Sequence, residues 1–484
     1  MTMLAAGSAA VFALACSDDS DVVGPPVDSS TVVLATQSVT PALIKNVMSG
    51  VSVYPLISSE DVLSGSPNYV FGGSADGAGV IKNADGTFTM VVNNEDNFSV
   101  SRITLDKTFK PTKGEYILTS DKALYRLCSA TLATVSEHGF GPLFITAGES
   151  SIESSIYALD PTGGTNTAKA LTALGHWSSE NALPLPKQAY AGKTVVIIGD
   201  DDSGTGGGQV GMYVGTAVGD LDNGKLYALT RTNGNVRERD MVAGQTYPVE
   251  FKEIPNAKTL TGAQINTTVN AFNAVSFGRV EDVDYRKSGT GRDVYFVVTG
   301  QDENGANADK SRSKYGRIYH LTLDAADPTK GSLEVVLDGD DRTGPGKLLQ
   351  NPDNIVATAN YLYLEEDPNE YGDETHDSYL WQYNLATKEL KVVFEIDHHR
   401  GAADFAKYNN ASGTYVANTV SKMGSWENSG IIDISDVTGK PGTFMLGIQA
   451  HGWHALRFKG VDGGALRAAE DQGSQLLILS GLAR

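Results

Sequence analysis

Residues 378–397 read SYLWQYNLATKELKVVFEID, two apolar and aromatic runs separated by a short polar link. Tyr379, Trp381 and Tyr383 in the first run, and Val392, Val393 and Phe394 in the second, suit a pleated backbone better than a helix. Asn384, Thr387 and Lys388 between them mark a reversal, so the stretch is a β-hairpin. The same unit recurs outward along the chain, as GTFTMVVNNED (86–96), KTVVIIGDDDSG (193–204), GKLYALTRTNG (224–234) and RDVYFVVTGQ (292–301). It returns in GRIYHLTLD (316–324), GSLEVVLDGDD (331–341) and NYLYLEED (360–367). Strands of this length, punctuated by Gly, Asn and Asp, predict an all-β chain of four-stranded meanders. Long amphipathic helical patterns are nearly absent, and Thr261 to Phe277 is the predicted helical insert.

A strand ending Tyr-x-Leu or Tyr-x-Tyr repeats at Lys225–Leu229, Gly316–Leu321 and Tyr379–Tyr383. Such a repeat predicts a β-propeller-like fold with short helical inserts, the aromatic unit being the inner strand of each blade. A pair of β-sandwiches is the structural alternative. The length of 484 residues accommodates one large all-β domain, here expected over 39–484.

The 38 basic residues are outnumbered by 58 acidic ones, a formal charge of −20. That balance excludes a nucleic-acid-binding surface, which needs a basic face, and suits a holder of cations. The first residues, MTMLAAGSAAVFALAC (1–16), form an apolar run too short to span a bilayer. Ala13-Leu14-Ala15-Cys16 is similar to a lipoprotein cleavage box, with Cys16 the residue to be lipidated, although no Lys or Arg precedes the run. The expectation is an exported periplasmic or outer-membrane lipoprotein: signal peptide 1–16, flexible polar tether 17–38, then the folded domain. Once Cys16 is lipidated, Cys128 is the one thiol left, which excludes an intramolecular disulfide and a cysteine-built zinc site.

Acidic clusters sit where apolar strands run into loops. They include Glu95-Asp96, Glu149, Glu180, Asp200-Asp201-Asp202, Glu281-Asp282, Asp338-Gly339-Asp340-Asp341, Asp353 and Glu365-Glu366-Asp367. Ca²⁺ takes six to eight oxygen ligands from adaptable loops, and a propeller gathers such loops at one end of its axis. Together these clusters, with Glu95, Asp200, Asp201 and Glu366 among the candidate ligands, favour at least one calcium site. None of the clusters has the spacing of an EF-hand.

The order of these clusters resembles that of the PhoX-type calcium-dependent alkaline phosphatases of bacteria. Phe277-Gly278-Arg279-Val280-Glu281-Asp282 is similar to that family's Arg-Pro-Glu-Asp segment, and Asn351-Pro352-Asp353-Asn354 to its Pro-Asp-Asn strand. Ile198-Gly199-Asp200-Asp201 resembles its Gly-Asp-Asp, Ser179-Glu180 its His-Glu, Asn93-Asn94-Glu95 its Asn-His-Glu and Ile448-Gln449-Ala450 a late Ile-Gln-x-Pro. The resemblance implies a propeller holding calcium and iron around one phosphate site, with Glu149, Glu180 and Glu281 as metal ligands and Arg279 clamping the phosphoryl oxygens. Arginine is the natural fork for phosphate. The substrate would be a small-molecule phosphate ester, with Ca²⁺ and possible Fe³⁺ as cofactors.

The sequence also departs from that pattern. Thr146-Ala147-Gly148-Glu149 stands where the family has Thr-Cys-Glu-Glu, so the iron-binding thiolate is missing from that segment; Cys128 lies nineteen residues earlier than Ala147. Asn94 and Ser179 replace family histidines, and no twin-arginine export motif is present. A calcium-only site, or one without catalysis, is the reading these departures favour. Of the histidines, His398-His399 and His451/His454 are the densest groups and read as packing or surface residues. Gly204–Gly208 reads as a flexible hairpin tip, since no Lys-Ser/Thr follows it, and no Gly-x-Ser-x-Gly or His-Glu-x-x-His motif occurs. The competing functions are a non-catalytic calcium-stabilised propeller that binds a glycan, peptide or protein, and a calcium-dependent lactonase.

Overall fold

The structure is a computed structural model that describes residues 31–410 and 421–484. It is nearly all β, and the apolar runs show why. In Val195–Asp200, Val195 and Ile197 pack into one core with Met212, Phe251 and Val283, whereas Val196 and Ile198 pack into another with Trp177, Tyr213 and Leu226. Leu477 and Leu479 divide in the same way from Leu476 and Ile478. A sheet covered on both faces needs apolar side chains at every position, which produces continuous runs in place of alternation. Truncating any of these to Ala costs about 2–5 kcal/mol.

Among the described residues, four of the five sheets are single blades, each beginning with one strand near the axis: Ala75–Lys82 (blade I), Arg126–Ala133 (II), Pro352–Ala357 (V) and Glu427–Asp433 (VI). The fifth sheet has nine strands. Its halves begin with Ser179–Pro184 (III) and Val280–Tyr285 (IV) and join where Thr246–Glu253 pairs with Lys330–Asp338. This sheet curls until its first and last strands are neighbours, so it is nearly closed. The six first strands stand around one axis, each beside the next and the last beside the first. Ser52–Ser58 closes the ring by pairing with Gln472–Ser480, Tyr54 opposite Ile478.

That closed ring replaces the β-sandwich alternative. It also corrects the reading of the aromatic repeat as inner strands. Lys225–Arg231 is the fourth strand of its half-sheet, and Arg317–Leu323 and Tyr379–Asn384 are third strands. Bulky rings fit the space that widens away from the axis, while the inner strands crowd one another. A Cβ added to Gly77, on the inner strand of blade I, would lie 2.3 Å from the backbone nitrogen of Ala130 on blade II.

The packed chain begins inside the expected tether. Val32 is buried with Leu56, Phe88 and Ile103, and Val33 N donates to Thr108 O at 3.1 Å. The signal peptide, Cys16 and residues 17–30 lie outside the described residues. The predicted insert is a helix over Gly262–Ala271, started by a Thr261/Gln264 capping box. It stops short of Phe277 because Asn273 turns left-handed (φ 60°) and Val275 N then bonds to Leu229 O.

Candidate metal centre

Each of the six inner strands carries a bulge near its start, recorded as a register shift between Ala75 and Ala78, Leu127 and Ala130, Ser179 and Ala182, Val280 and Val283, Pro352 and Ile355, and Ser429 and Ile432. A bulge sets two residues against one and re-aims their side chains, which regular alternation would send to opposite faces. The first bulge residue is Asp76, Cys128, Glu180, Glu281 and Asp353 in blades I to V. In blade VI it is Gly430 (φ 64°), where a Cβ would lie 2.5 Å from the carbonyl of Asp76.

The second bulge residues form a floor under the first. Asn181 Nδ2 donates to Asp282 Oδ1 at 2.6 Å, Asn354 Nδ2 to Ser129 Oγ at 2.8 Å, and Gly430 N to Asn354 Oδ1 at 2.7 Å. Asp282 also accepts from Ile355 N at 3.1 Å. Burial lifts its carboxyl to about 7.

Above the floor the acids converge. Asp76, Cys128 and Glu180 offer donor atoms within 4.8 Å of one another, and so do Glu95, Cys128 and Glu149. The Cys128 thiol is shared by both groups and donates to Glu149 Oε2 at 3.1 Å. Asp353, Asp367 and Glu427 extend the same field from blades V and VI. Burial, reinforced by neighbouring carboxylates, pushes Asp76, Glu180, Glu281, Asp353 and Glu427 well above the usual carboxylate range. Burial first, opposed by Arg126, brings Glu95 to about 7, and burial with Asp201 brings Glu149 to about 7. Burial and Glu149 push the Cys128 thiol up as well. Two guanidinium groups answer this charge. Arg126 reaches Glu95 at 2.8 Å and Asp96 at 3.2 Å, and Arg279 reaches Asp201 at 2.7 Å and Glu281 at 3.1 Å. Burying so many like charges beside so few opposite ones is unfavourable unless cations or protons join them. Carboxylate oxygens suit Ca²⁺ or Fe³⁺, and one shared thiolate suits iron. The donor set therefore fits the metals that the sequence resemblance implies.

Arg279 is held from behind. Its backbone is left-handed (φ 71°), a conformation that costs a non-glycine residue about 1 kcal/mol or more. The buried Glu238 carboxylate accepts from Gly278 N and Ser313 N, both at 2.8 Å, and fixes the turn that sets this conformation. Gly204–Gly208 is pinned and is no free tip. Arg312 donates to Gly204 O at 2.9 Å, and Phe277 N donates to Gly208 O at 2.9 Å, just ahead of Arg279. Arg279 Nη1 also donates to Asn369 Oδ1 at 3.0 Å.

Of the predicted ligands, Glu95, Glu149, Glu180, Asp201 and Glu281 meet in this cluster beside Arg279. Asp200 and Glu366 do not. Asp200 turns to its own hairpin and accepts from Asp202 N at 3.3 Å and Gln209 N at 3.2 Å. Glu366 points away among four donors described below. Sequence reasoning missed Asp76, Cys128, Arg126 and Glu427. The signal that could have found the first two is the pair at the start of five of the six inner strands, an acid or thiol followed by a small or polar residue: Asp76-Gly77, Cys128-Ser129, Glu180-Asn181, Glu281-Asp282, Asp353-Asn354. Cys128, nineteen residues before Ala147 in the sequence, is folded back beside the acids by the pairing of Arg126 with Glu149. His398 and His454 are buried, His398 stacked on Trp426 at 4.2 Å, while His451 Nε2 stands 3.8 Å from Glu427 at the edge of the cluster.

No protein-family model matches the sequence, and no curated protein matches it. Among solved structures, the chain is similar to Pseudomonas fluorescens PhoX in complex with vanadate, a transition state analogue, at 14% identity and a TM-score of 0.61, over 93% of this chain and 99% of that one. An α-L-arabinofuranosidase from Fusarium graminearum matches at 11% identity and a TM-score of 0.39, over 88% of this chain and 97% of that one. The first of these likenesses shows a shared fold.

Proposed function

We propose that the chain is a metal-dependent phosphatase of the PhoX type that hydrolyses small phosphate esters. The observation that carries the reading is the axial surplus of buried acids around one thiol, with two arginines at its rim. Asp76, Cys128 and Glu180 would hold one cation, and Glu95, Cys128 and Glu149 a second, with Asp353, Asp367 and Glu427 as the next acidic group. Bound there, Ca²⁺ or Fe³⁺ supplies Lewis acidity and lowers the pKa of a coordinated water. Arg279 and Arg126, from blades IV and II, present planar donors to a phosphoryl group and stabilise the charge on its oxygens. The floor of Asn181, Asp282 and Asn354 keeps the acids in register. The non-catalytic reading leaned on Ala147 in place of a thiol, and Cys128 beside Glu149 removes that support.

Hydrolysis of p-nitrophenyl phosphate, followed with and without chelator and paired with metal analysis of the purified protein, tests the proposal. Turnover is expected to vanish on chelation, and Glu281→Gln, which weakens the hold on Arg279 and on the acidic cluster, is expected to lower activity by about 10–100-fold. Folded protein that retains no metal and shows no turnover with added Ca²⁺ or Fe³⁺ would sink it. The segment ending at Cys16 supports export and lipid anchoring, and Cys16→Ser is expected to move the protein from the membrane to the soluble fraction.

A further inference from the structure

Beside Arg279 the site opens off-axis into a cleft of about 800 Å³ over blades II to V. That volume is in the range of small-molecule sites and admits a leaving group the size of a sugar. Arg279 is the sole basic residue among the described residues that line it. Asp202 and Asp302 face the cleft as well, and their hydrogen bonds come from neutral groups. Asp202 accepts from Gly204 N at 2.8 Å and Asn266 Nδ2 at 3.0 Å, and Asp302 accepts from Glu303 N at 2.8 Å and Asn304 Nδ2 at 2.6 Å. The remaining walls present hydroxyls from Ser150, Ser151 and Ser203 and carboxamides from Gln301, Asn304 and Asn369. Tyr371 adds an aromatic face.

We infer, on the phosphatase reading above, that this cleft receives the alcohol of the substrate and selects a neutral, hydroxyl-rich one: a polyol or sugar monophosphate in preference to a nucleotide with further phosphates. In the reaction a water oxygen bonds to phosphorus, the phosphorus–oxygen bond to the alcohol breaks, and the alcohol departs with a proton from that water. Only one phosphoryl group finds guanidinium there. A second phosphate would sit between half-buried Asp202 and exposed Asp302. The cations nearest these acids are already engaged, Arg312 by Ser203 O, Gly204 O and Gln301 Oε1 and Lys314 by the Tyr371 ring 4.8 Å from its Nζ, so the added like charge is unfavourable. Sugar hydroxyls, by contrast, can donate to the carboxamide oxygens and accept from the serines. An apolar sugar face can rest on the Tyr371 ring.

The test uses the metal-loaded full chain and compares kcat/KM for glycerol 2-phosphate and ADP, with p-nitrophenyl phosphate as the reference ester. The polyol ester is expected to be preferred by about tenfold or more. Asp302→Lys should narrow that ratio by about tenfold, and added salt should narrow it in the wild type. Equal kcat/KM for both, or a ratio untouched by Asp302→Lys, while p-nitrophenyl phosphate is hydrolysed, overturns the selectivity and leaves the phosphatase reading standing. Loss of p-nitrophenyl phosphate turnover with every cation overturns that reading, and this inference with it.

Discussion

Glu366 and Glu180 are both buried carboxylates at blade strands, 0% and 3% exposed. Their surroundings are opposite. Glu366 accepts from Gln350 N at 2.8 Å, Tyr379 N at 2.9 Å and Trp381 Nε1 at 2.8 Å, and His376 Nε2 lies 3.0 Å away. Glu180 accepts from Ser129 N at 3.0 Å and otherwise meets the charges of Asp353, Asp76 and Glu149. Burial alone therefore does not mark a site. A carboxylate whose negative charge is spread over four donors is a joint that fastens a blade, whereas one that faces other carboxylates offers half of an interaction that a cation would complete.

Replacing the joint should produce the largest effect. Glu366→Gln puts an amide NH₂ against N–H groups and removes the charge they were arranged to meet. It is expected to destabilise by about 3–5 kcal/mol in denaturant titrations, equally with calcium and with chelator. Dependence on the cation would place Glu366 in the metal centre after all.

Acid sharpens the contrast by supplying a buried group of the other charge type. His138 sits at the far end of the axis, where burial lowers its pKa to about 4, and Glu137, Lys287 and Tyr285 are its titratable neighbours. The unfolded chain takes up this proton near 6.5 and the folded chain near 4, so its contribution is full above 6.5 and lost as pH falls between those values. The loss amounts to about 3 kcal/mol at most. His138→Phe should flatten this limb of the stability–pH curve, and an unchanged limb would assign acid unfolding elsewhere.

The axial acids should show a smaller effect with a reversed sign. In chelated protein, Glu180→Gln removes one like charge and is expected to stabilise by about 1–2 kcal/mol. With cation bound the same substitution removes a ligand and should lower the thermal midpoint. Destabilisation in both states would make Glu180 a joint like Glu366.

This contrast also explains how far the sequence was legible. The strands were, because both faces of a blade are buried and Val195–Ile198 or Leu476–Leu479 must be apolar throughout. Arg279, Glu281 and Glu149 were, because each closes or opens such a run. What was hidden is direction. In Glu365-Glu366-Asp367 the period of two sends Asp367 toward Asp353 and Glu427 while Glu366 faces Trp381, and Asp200 and Asp201 part in the same way. Composition treats such neighbours as one cluster. Cys128 was hidden by distance along the chain, because nothing in the sequence between it and Ala147 tells that the bulged pairing of Arg126–Ala133 with Leu143–Glu149 brings it to Glu149. Asp76, within Ser74-Ala75-Asp76-Gly77, reads as a turn until the ring of inner strands is seen.

Glu238 belongs by its donors to the joints and by its consequence to the site. Its carboxylate accepts from Gly278 N, Ser313 N and Tyr319 OH, the last at 3.0 Å, and burial raises its pKa. Glu238→Ala leaves two backbone N–H groups unpaired behind Arg279 and lets its left-handed turn relax. On the proposed phosphatase reading the guanidinium then shifts from where phosphoryl oxygens would develop charge, and displacements of this kind lower rates by about tenfold or more. Because Arg279 would grip the transition state more strongly than the ground state, kcat should fall while KM for p-nitrophenyl phosphate stays close to the wild-type value. Glu238→Gln keeps an oxygen for both N–H groups and should restore most of the rate. A merely structural joint would instead lower the thermal midpoint in both variants and leave kcat of the folded fraction unchanged.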